Sequence, residues 1–144
     1  MNVNDLPTLR DELETHGLWA NKGLGQHFLL DLNITRRIAK TAGDLAGKQV
    51  IEVGPGPGGL TRALLEAGAH VIAIEKDVRF LPLLTPLVDW SEERLTIVQG
   101  DALEVDQASL LGGGTAVIIS NLPYNVGTPL LVNWLKAGPW RGDM

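Results

Sequence analysis

The sequence predicts a doubly wound α/β fold built on a mostly parallel sheet, and three observations carry that prediction. Four short β-branched runs, QVIEV (49–53), HVIAI (70–74), RLTIV (94–98) and TAVIIS (115–120), recur at about the length of one strand–helix unit. Each is nearly continuously apolar, the pattern of a strand covered on both faces. Each is followed by polar or glycine-rich residues, where open parallel sheets bind their ligands.

The elements follow in order. Residues 8–15 carry a short helical pattern with Leu9 and Leu13 four apart, ahead of His16-Gly17 and a glycine-rich stretch, so residues 1–20 are expected as a flexible arm preceding a domain at 21–144. A firmer helix starts near Asp31 or Asn33 as N-cap, places Ile34 and Ile38 on one face, turns Arg36, Arg37 and Lys40 outward, and stops at Gly43. LTRALLEAGA forms a helix ending at Gly68. DVRFLPLLTPLV is helical in pattern but interrupted by Pro82 and Pro86. A last helix is expected over 128–137. Four strands make a small sheet for this class, so the sequence reads as a truncated member of it.

Composition limits the chemistry. The chain has 144 residues, 44% of them hydrophobic and 20% charged, which suits one globular domain with a substantial core. With no cysteine, disulfide scaffolds, thiolate nucleophiles and cysteine-held metals are excluded. His16, His27 and His70 are scattered and make no ligand set, so no metal is expected. No apolar run approaches a membrane span and the N-terminus is acidic and polar, which places the expected protein in the cytoplasm. Net charge is −5, yet residues 15–50 hold five bases against Asp31 and Asp44, a stretch that either meets phosphate or forms a solvated helix face.

The ends of the strands carry the chemistry. Gly54, Gly56 and Gly59 satisfy G-x-G-x-x-G directly after a strand. Pro55 and Pro57 lack the N–H groups a pyrophosphate needs, and no Gly-Lys-Ser/Thr is present. The loop therefore suits close approach to a ligand that is not strongly anionic; its plainer reading is a tight turn. Glu75, 21 residues after Gly54, is placed to accept the two hydroxyls of a ribose. Asp101, after the third run, can accept from an exocyclic amine such as adenine N6. A solvated carboxylate and a turn-capping Asp are the bland alternatives.

Asn121-Leu122-Pro123-Tyr124 is the most specific signal. To attack an electrophile, an adenine-type amine needs acceptors for its N–H groups, because its lone pair is delocalised into the ring. The Asn121 side-chain oxygen and the Leu122 carbonyl can serve, and they also meet the positive charge developing on nitrogen. Pro123 restricts Leu122 to extended conformations. Tyr124 can stack on a base taken out of its helix.

Taken together, Lys22-Gly23-Leu24-Gly25-Gln26-His27-Phe28-Leu29, Glu52 to Thr61, Ile74-Glu75-Lys76-Asp77, Gly100-Asp101-Ala102 and Asn121 to Tyr124 resemble the ribosomal-RNA adenine N6-dimethyltransferases. Within them the match is best to the bacterial branch that dimethylates two adjacent adenosines of small-subunit (16S) rRNA. The resemblance covers roughly residues 21–136. It implies a Rossmann-like class I methyltransferase fold with S-adenosyl-L-methionine as cofactor, contacted at His27, Leu29, Gly54, Gly56, Glu75, Asp101 and Asn121. Asn121, Leu122 and Tyr124 would act on the target base. It further implies small-subunit rRNA in the pre-30S particle as partner, a monomer without metal or membrane, a role in ribosome biogenesis, and a longer sheet and a helical rRNA-binding domain beyond this chain. Rival readings are a large-subunit rRNA methyltransferase of the antibiotic-resistance type, an NAD-dependent oxidoreductase, and a non-catalytic assembly factor on the same scaffold.

Overall fold

The structure, a computed structural model, describes residues 2–18, 30–122 and 124–144. The described residues form one four-stranded parallel sheet, in the order β3-β2-β1-β4: β1 (Gln49–Val53), β2 (His70–Glu75), β3 (Leu95–Gln99) and β4 (Val117–Ile118). β1 is central, with Val53 beside Ile74 on one flank and Ile51 beside Ile118 on the other. The chain runs outward from β1 through β2 to β3, then crosses back to place β4 on the far side of β1. That reversal is the switch point at which open α/β sheets bind ligands.

Alternation along the strands divides the core. Val50, Val71, Ala73 and Leu95 face α1 (Leu9–Thr15), α2 (Leu32–Thr41), α3 (Gly59–Glu66) and α4 (Leu81–Trp90). Ile51, Val53, Ile72, Ile74 and Ile118 face the 101–114 segment and α5 (Tyr124–Leu135), which contributes Leu130 and Trp134. Each fully buried aliphatic side chain contributes about 1.5–3 kcal/mol, so both layers are apolar for the same reason.

Local chemistry sets the helix limits. The Asp31 carboxylate caps α2 by accepting from the Asn33 N–H at 2.8 Å, and Gly43, at φ +86°, closes it. The buried stripe of α2 runs through Thr35, Ile38, Ala39 and Ala42, so Ile34, expected to share the face of Ile38, is 44% exposed. One residue of offset turns a side chain by about 100° on a helix. Of the expected outward bases, Arg36 grips Glu66 of α3 with two bonds of 2.7 and 3.0 Å.

Several expectations need correction. The N-terminal segment is packed: Val3, Leu9, Leu13 and Leu18 are buried, Thr8 caps α1, and Arg62 of α3 donates to the Pro7 carbonyl at 2.6 Å. α4 is continuous despite its prolines. Pro82 lies in its first turn, where an N–H has no helical partner, and Pro86 forfeits only the bond to the Pro82 carbonyl. α5 begins at Tyr124, four residues before the predicted start, and ends two residues earlier, with Pro129 inside it. β4 is shorter than its apolar run. Beyond its outer edge the Ala116 and Ile118 N–H groups donate to the carbonyls of Trp140 and Asp143, at 2.9 and 2.8 Å. Among the described residues no helix is long and apolar enough to cross a membrane, and no group of three or more His, Cys, Asp or Glu can hold a metal ion.

Candidate active site

The glycine loop leaves β1 between two strands and one helix. Gly54, at φ +68°, donates to the Ile74 carbonyl at 2.8 Å, and Gly58, at φ +95°, caps α3 with no side chain of its own. Both angles lie in the left-handed region, which costs an L-residue about 1–2 kcal/mol. A Cβ added to Gly54 would stand 3.5 Å from the Leu122 side chain, so the loop after β1 and the segment after β4 run close together.

A hydroxyl joins the same two strands. The backbone pairing of β1 with β4 stops after Ile119 donates to Ile51, and the Val53 N–H turns to Ser120 Oγ at 2.8 Å. Ser120 thus continues the ladder for one residue by its side chain and fixes where Asn121 and Leu122 emerge. Asn121 is exposed and Leu122 half-buried. An apolar groove of about 400 Å³ opens beside them, bordered by Ile38, Thr41, Ile119, Ser120, Leu122 and Trp134.

Glu75 closes the other flank of the loop. One carboxylate oxygen accepts from the Gly56 N–H and the other from the Asp77 N–H, both at 2.9 Å. Burial pushes the Glu75 carboxyl above its usual value, while those two amides pull the other way. Each oxygen keeps lone-pair capacity, since a carboxylate offers about four acceptor positions. The Gly100 N–H donates to the Glu75 carbonyl at 2.9 Å, which brings the next turn alongside. There Asp101 accepts from the Leu103 N–H at 3.0 Å and meets Lys76 at 3.4 Å; the amide first, then the ammonium, hold its carboxyl below the usual range.

Beneath the loop lies an acid to which the sequence alone assigns no role. Glu52 is 2% exposed and accepts from Thr61 Oγ1 at 2.5 Å, linking β1 to the first turn of α3. Burial raises its carboxyl to about 8, opposed by the Thr61 hydroxyl and reinforced by the charge of Glu75. Ser120, Thr61, Gln107 and Trp134 were likewise missed. Their partners lie far along the chain, so only the Glu at the end of a buried strand was a signal available beforehand.

Of the predicted site residues, Gly56 is hydrogen-bonded to Glu75, Gly54 lies beside Leu122, Asp101 sits on the turn adjoining Glu75, and Asn121 is exposed after β4. His27, Leu29 and Pro123 lie outside the described residues. Tyr124 opens α5, and its side chain lies outside the described part as well.

A parallel sheet with this strand order, a glycine loop at its switch point and acids at successive strand ends is the fold of the class I S-adenosylmethionine-dependent methyltransferases. The 23S rRNA methyltransferase ErmE superposes with a TM-score of 0.66 at 28% identity, over 79% of this chain and 44% of that one. A dimethyladenosine transferase from Plasmodium falciparum does so with a TM-score of 0.64 at 25% identity, over 78% and 40%. The family model described as ribosomal RNA adenine dimethylase matches residues 17–143, and the chain belongs to that family. The ribosomal RNA small subunit methyltransferase A of Phenylobacterium zucineum (strain HLK1) is 64% identical, covering 97% of this chain and 48% of that protein. Its counterpart in Maricaulis maris (strain MCS10) is 58% identical, over 98% and 50%. The chain therefore spans about half the length of the curated relatives it matches.

Proposed function

We propose that this chain is the cofactor-binding half of an enzyme that transfers methyl groups from S-adenosylmethionine to N6 of two adjacent adenosines in small-subunit rRNA, during ribosome biogenesis. The observation that supports the proposal is the closeness of Gly54 to Leu122, whose side chain a Cβ added to the glycine would meet at 3.5 Å, so that the glycine loop and the Asn121–Tyr124 tetrapeptide adjoin. The identities of 55–64% to proteins named small subunit methyltransferase A favour that substrate over large-subunit rRNA.

The residues fit the cofactor. Glu75, buried and aimed at the glycine loop, has remaining lone pairs for two ribose hydroxyls, and its charge disfavours a 2′-phosphate. Asp101, held ionised, accepts from an exocyclic amine. Gly54 and Gly56 let the backbone approach the ligand, with His27 and Leu29 as further contacts. When bound, S-adenosylmethionine supplies a methyl group on a sulfonium centre.

On the substrate side, the Asn121 oxygen and the Leu122 carbonyl accept the N–H groups of the target adenine. This localises the nitrogen lone pair and balances the positive charge that develops on it. Ser120 holds that carbonyl in place through β1, and Tyr124 stacks on the base. No residue forms a covalent intermediate. The protein acts as a cytoplasmic monomer on the pre-30S particle, without a metal ion.

Calorimetric titration of the 144-residue chain with S-adenosylhomocysteine, with NAD and Asp101→Ala alongside, tests the cofactor assignment. Saturable binding of S-adenosylhomocysteine that the variant loses is expected; binding of NAD in its place would overturn the reading. Methylation of purified small and large precursor subunits by the full-length protein tests the substrate.

A further inference from the structure

The Asp101 turn and the Asn121 tetrapeptide belong to different elements, and apolar contact alone does not fix one against the other. Between them, inside the cluster of Ala102, Leu111, Leu130 and Trp134, sits a primary amide, Gln107, 7% exposed. An unbonded amide in such a place carries a desolvation penalty, so a core position normally holds an aliphatic side chain. Here both ends of the amide are used. Its Nε2 donates to the Ala102 carbonyl at 3.1 Å, and its Oε1 accepts from Trp134 Nε1 at 2.8 Å.

The two partners lie on the two halves of the site. Ala102 follows Asp101 directly, in the turn whose Leu103 N–H donates to the Asp101 carboxylate. Trp134 is on α5, ten residues after Tyr124, about 15 Å along the axis of the helix that the tetrapeptide opens. Dispersion contacts tolerate sliding, whereas two hydrogen bonds through one rigid amide specify axial position and rotation together.

We infer that Gln107 is a positioning residue, fastening the Asp101 turn to α5 and so setting the adenine end of the cofactor subsite against the helix that presents the target base. The inference rests on the methyltransferase reading above. Nothing in residues 105–111 marks Gln107 out from the sequence; its role follows from the pairing with a residue 27 positions away.

The test is S-adenosylhomocysteine titration of the intact 144-residue chain carrying Gln107→Met, Trp134→Phe or both, at a temperature where circular dichroism finds every variant folded. Gln107→Met keeps the volume but leaves the Ala102 carbonyl and the Trp134 N–H without partners. It is expected to weaken binding by about 5- to 100-fold. Trp134→Phe removes the donor together with the pyrrole part of the indole but keeps the Gln107–Ala102 bond, so it weakens binding less, and the double variant falls within about 2-fold of Gln107→Met, the non-additivity of a shared link. If Gln107→Met fails to fold, Trp134→Phe decides by the same measure. Wild-type affinity in a folded variant with a lowered melting temperature would reduce Gln107 to a packing role and overturn the inference alone. Absence of binding by the unaltered chain would overturn the cofactor reading and this inference with it.

Discussion

The two faces of the sheet are built to different specifications. On one, α1 to α4 close over Val50, Val71 and Ala73, and Leu64, Leu84 and Leu87 are all but sealed from solvent. On the other, among the described residues, the cover is the 101–114 segment and α5, which leaves Leu131, Val132 and Leu135 between 43% and 62% exposed and ties itself down through Gln107. The glycine loop grows from the first face, and the Asp101 turn and the tetrapeptide from the second. The site is thus a rigid wall opposed by a wall that hydrogen bonds hold in register.

Substitutions sharpen that contrast. Leu64→Ala, on the sealed face, is expected to cost about 2–5 kcal/mol in urea unfolding, the usual penalty for a cavity that cannot collapse. A loss below 1 kcal/mol would mean that this face is not the rigid one. Asn121→Ala, on the opposite wall, tests the site and not the packing. In the full-length enzyme it removes a charge-assisted bond of about 1.5–3 kcal/mol, roughly 10- to 100-fold in turnover; wild-type turnover would sink the assigned role. Gly58→Ala forces an L-residue to φ +95° with its Cβ 3.2 Å from Leu87, for an expected loss of about 1–2 kcal/mol by thermal melting.

Glu52 gives the rigid wall a pH signature. Its folded carboxyl is raised to about 8 from an unfolded value of 4.5, so the folded state holds the extra proton between them. Its stabilising share is complete below the unfolded value and is lost as pH rises through 8. The unfolding midpoint should fall between pH 5 and 8, and Glu52→Gln, which keeps an acceptor for Thr61, should flatten that fall. An equal slope in the variant would assign the effect elsewhere. The smallest effect is expected of Leu131→Ala, within about 0.5 kcal/mol because its side chain is 46% exposed.

How much was legible follows from the range of the interactions involved. β1 and β2 were readable because central parallel strands are apolar on both faces, and Gly54, Glu75 and Asp101 because a strand end is a local landmark. Ile34 was misplaced because Ile34 and Ile38 alone do not fix the angle of the stripe, which Thr35 and Ala39 complete. The N-terminal segment looked loose because seven helical residues have little intrinsic stability; what holds them is the buried Arg62 and a surface made by residues far along the chain. Ser120 and Gln107 left no mark at all, since a hydroxyl and an amide become informative only beside their partners.

The strand order also dictates when the crevice can exist. The bond from Gly56 to Glu75 spans 19 residues, while that from Val53 to Ser120 spans 67. The longer closure costs about 1 kcal/mol more in chain entropy before any contact rewards it. β1, α3 and β2 can thus condense first as a local nucleus, with β4 docking afterwards. Substitutions at Ala73 should then slow folding, whereas those at Ser120 should speed unfolding and leave the folding rate alone. A chain emerging from the ribosome would hold a finished glycine loop well before it had anywhere to place an adenine.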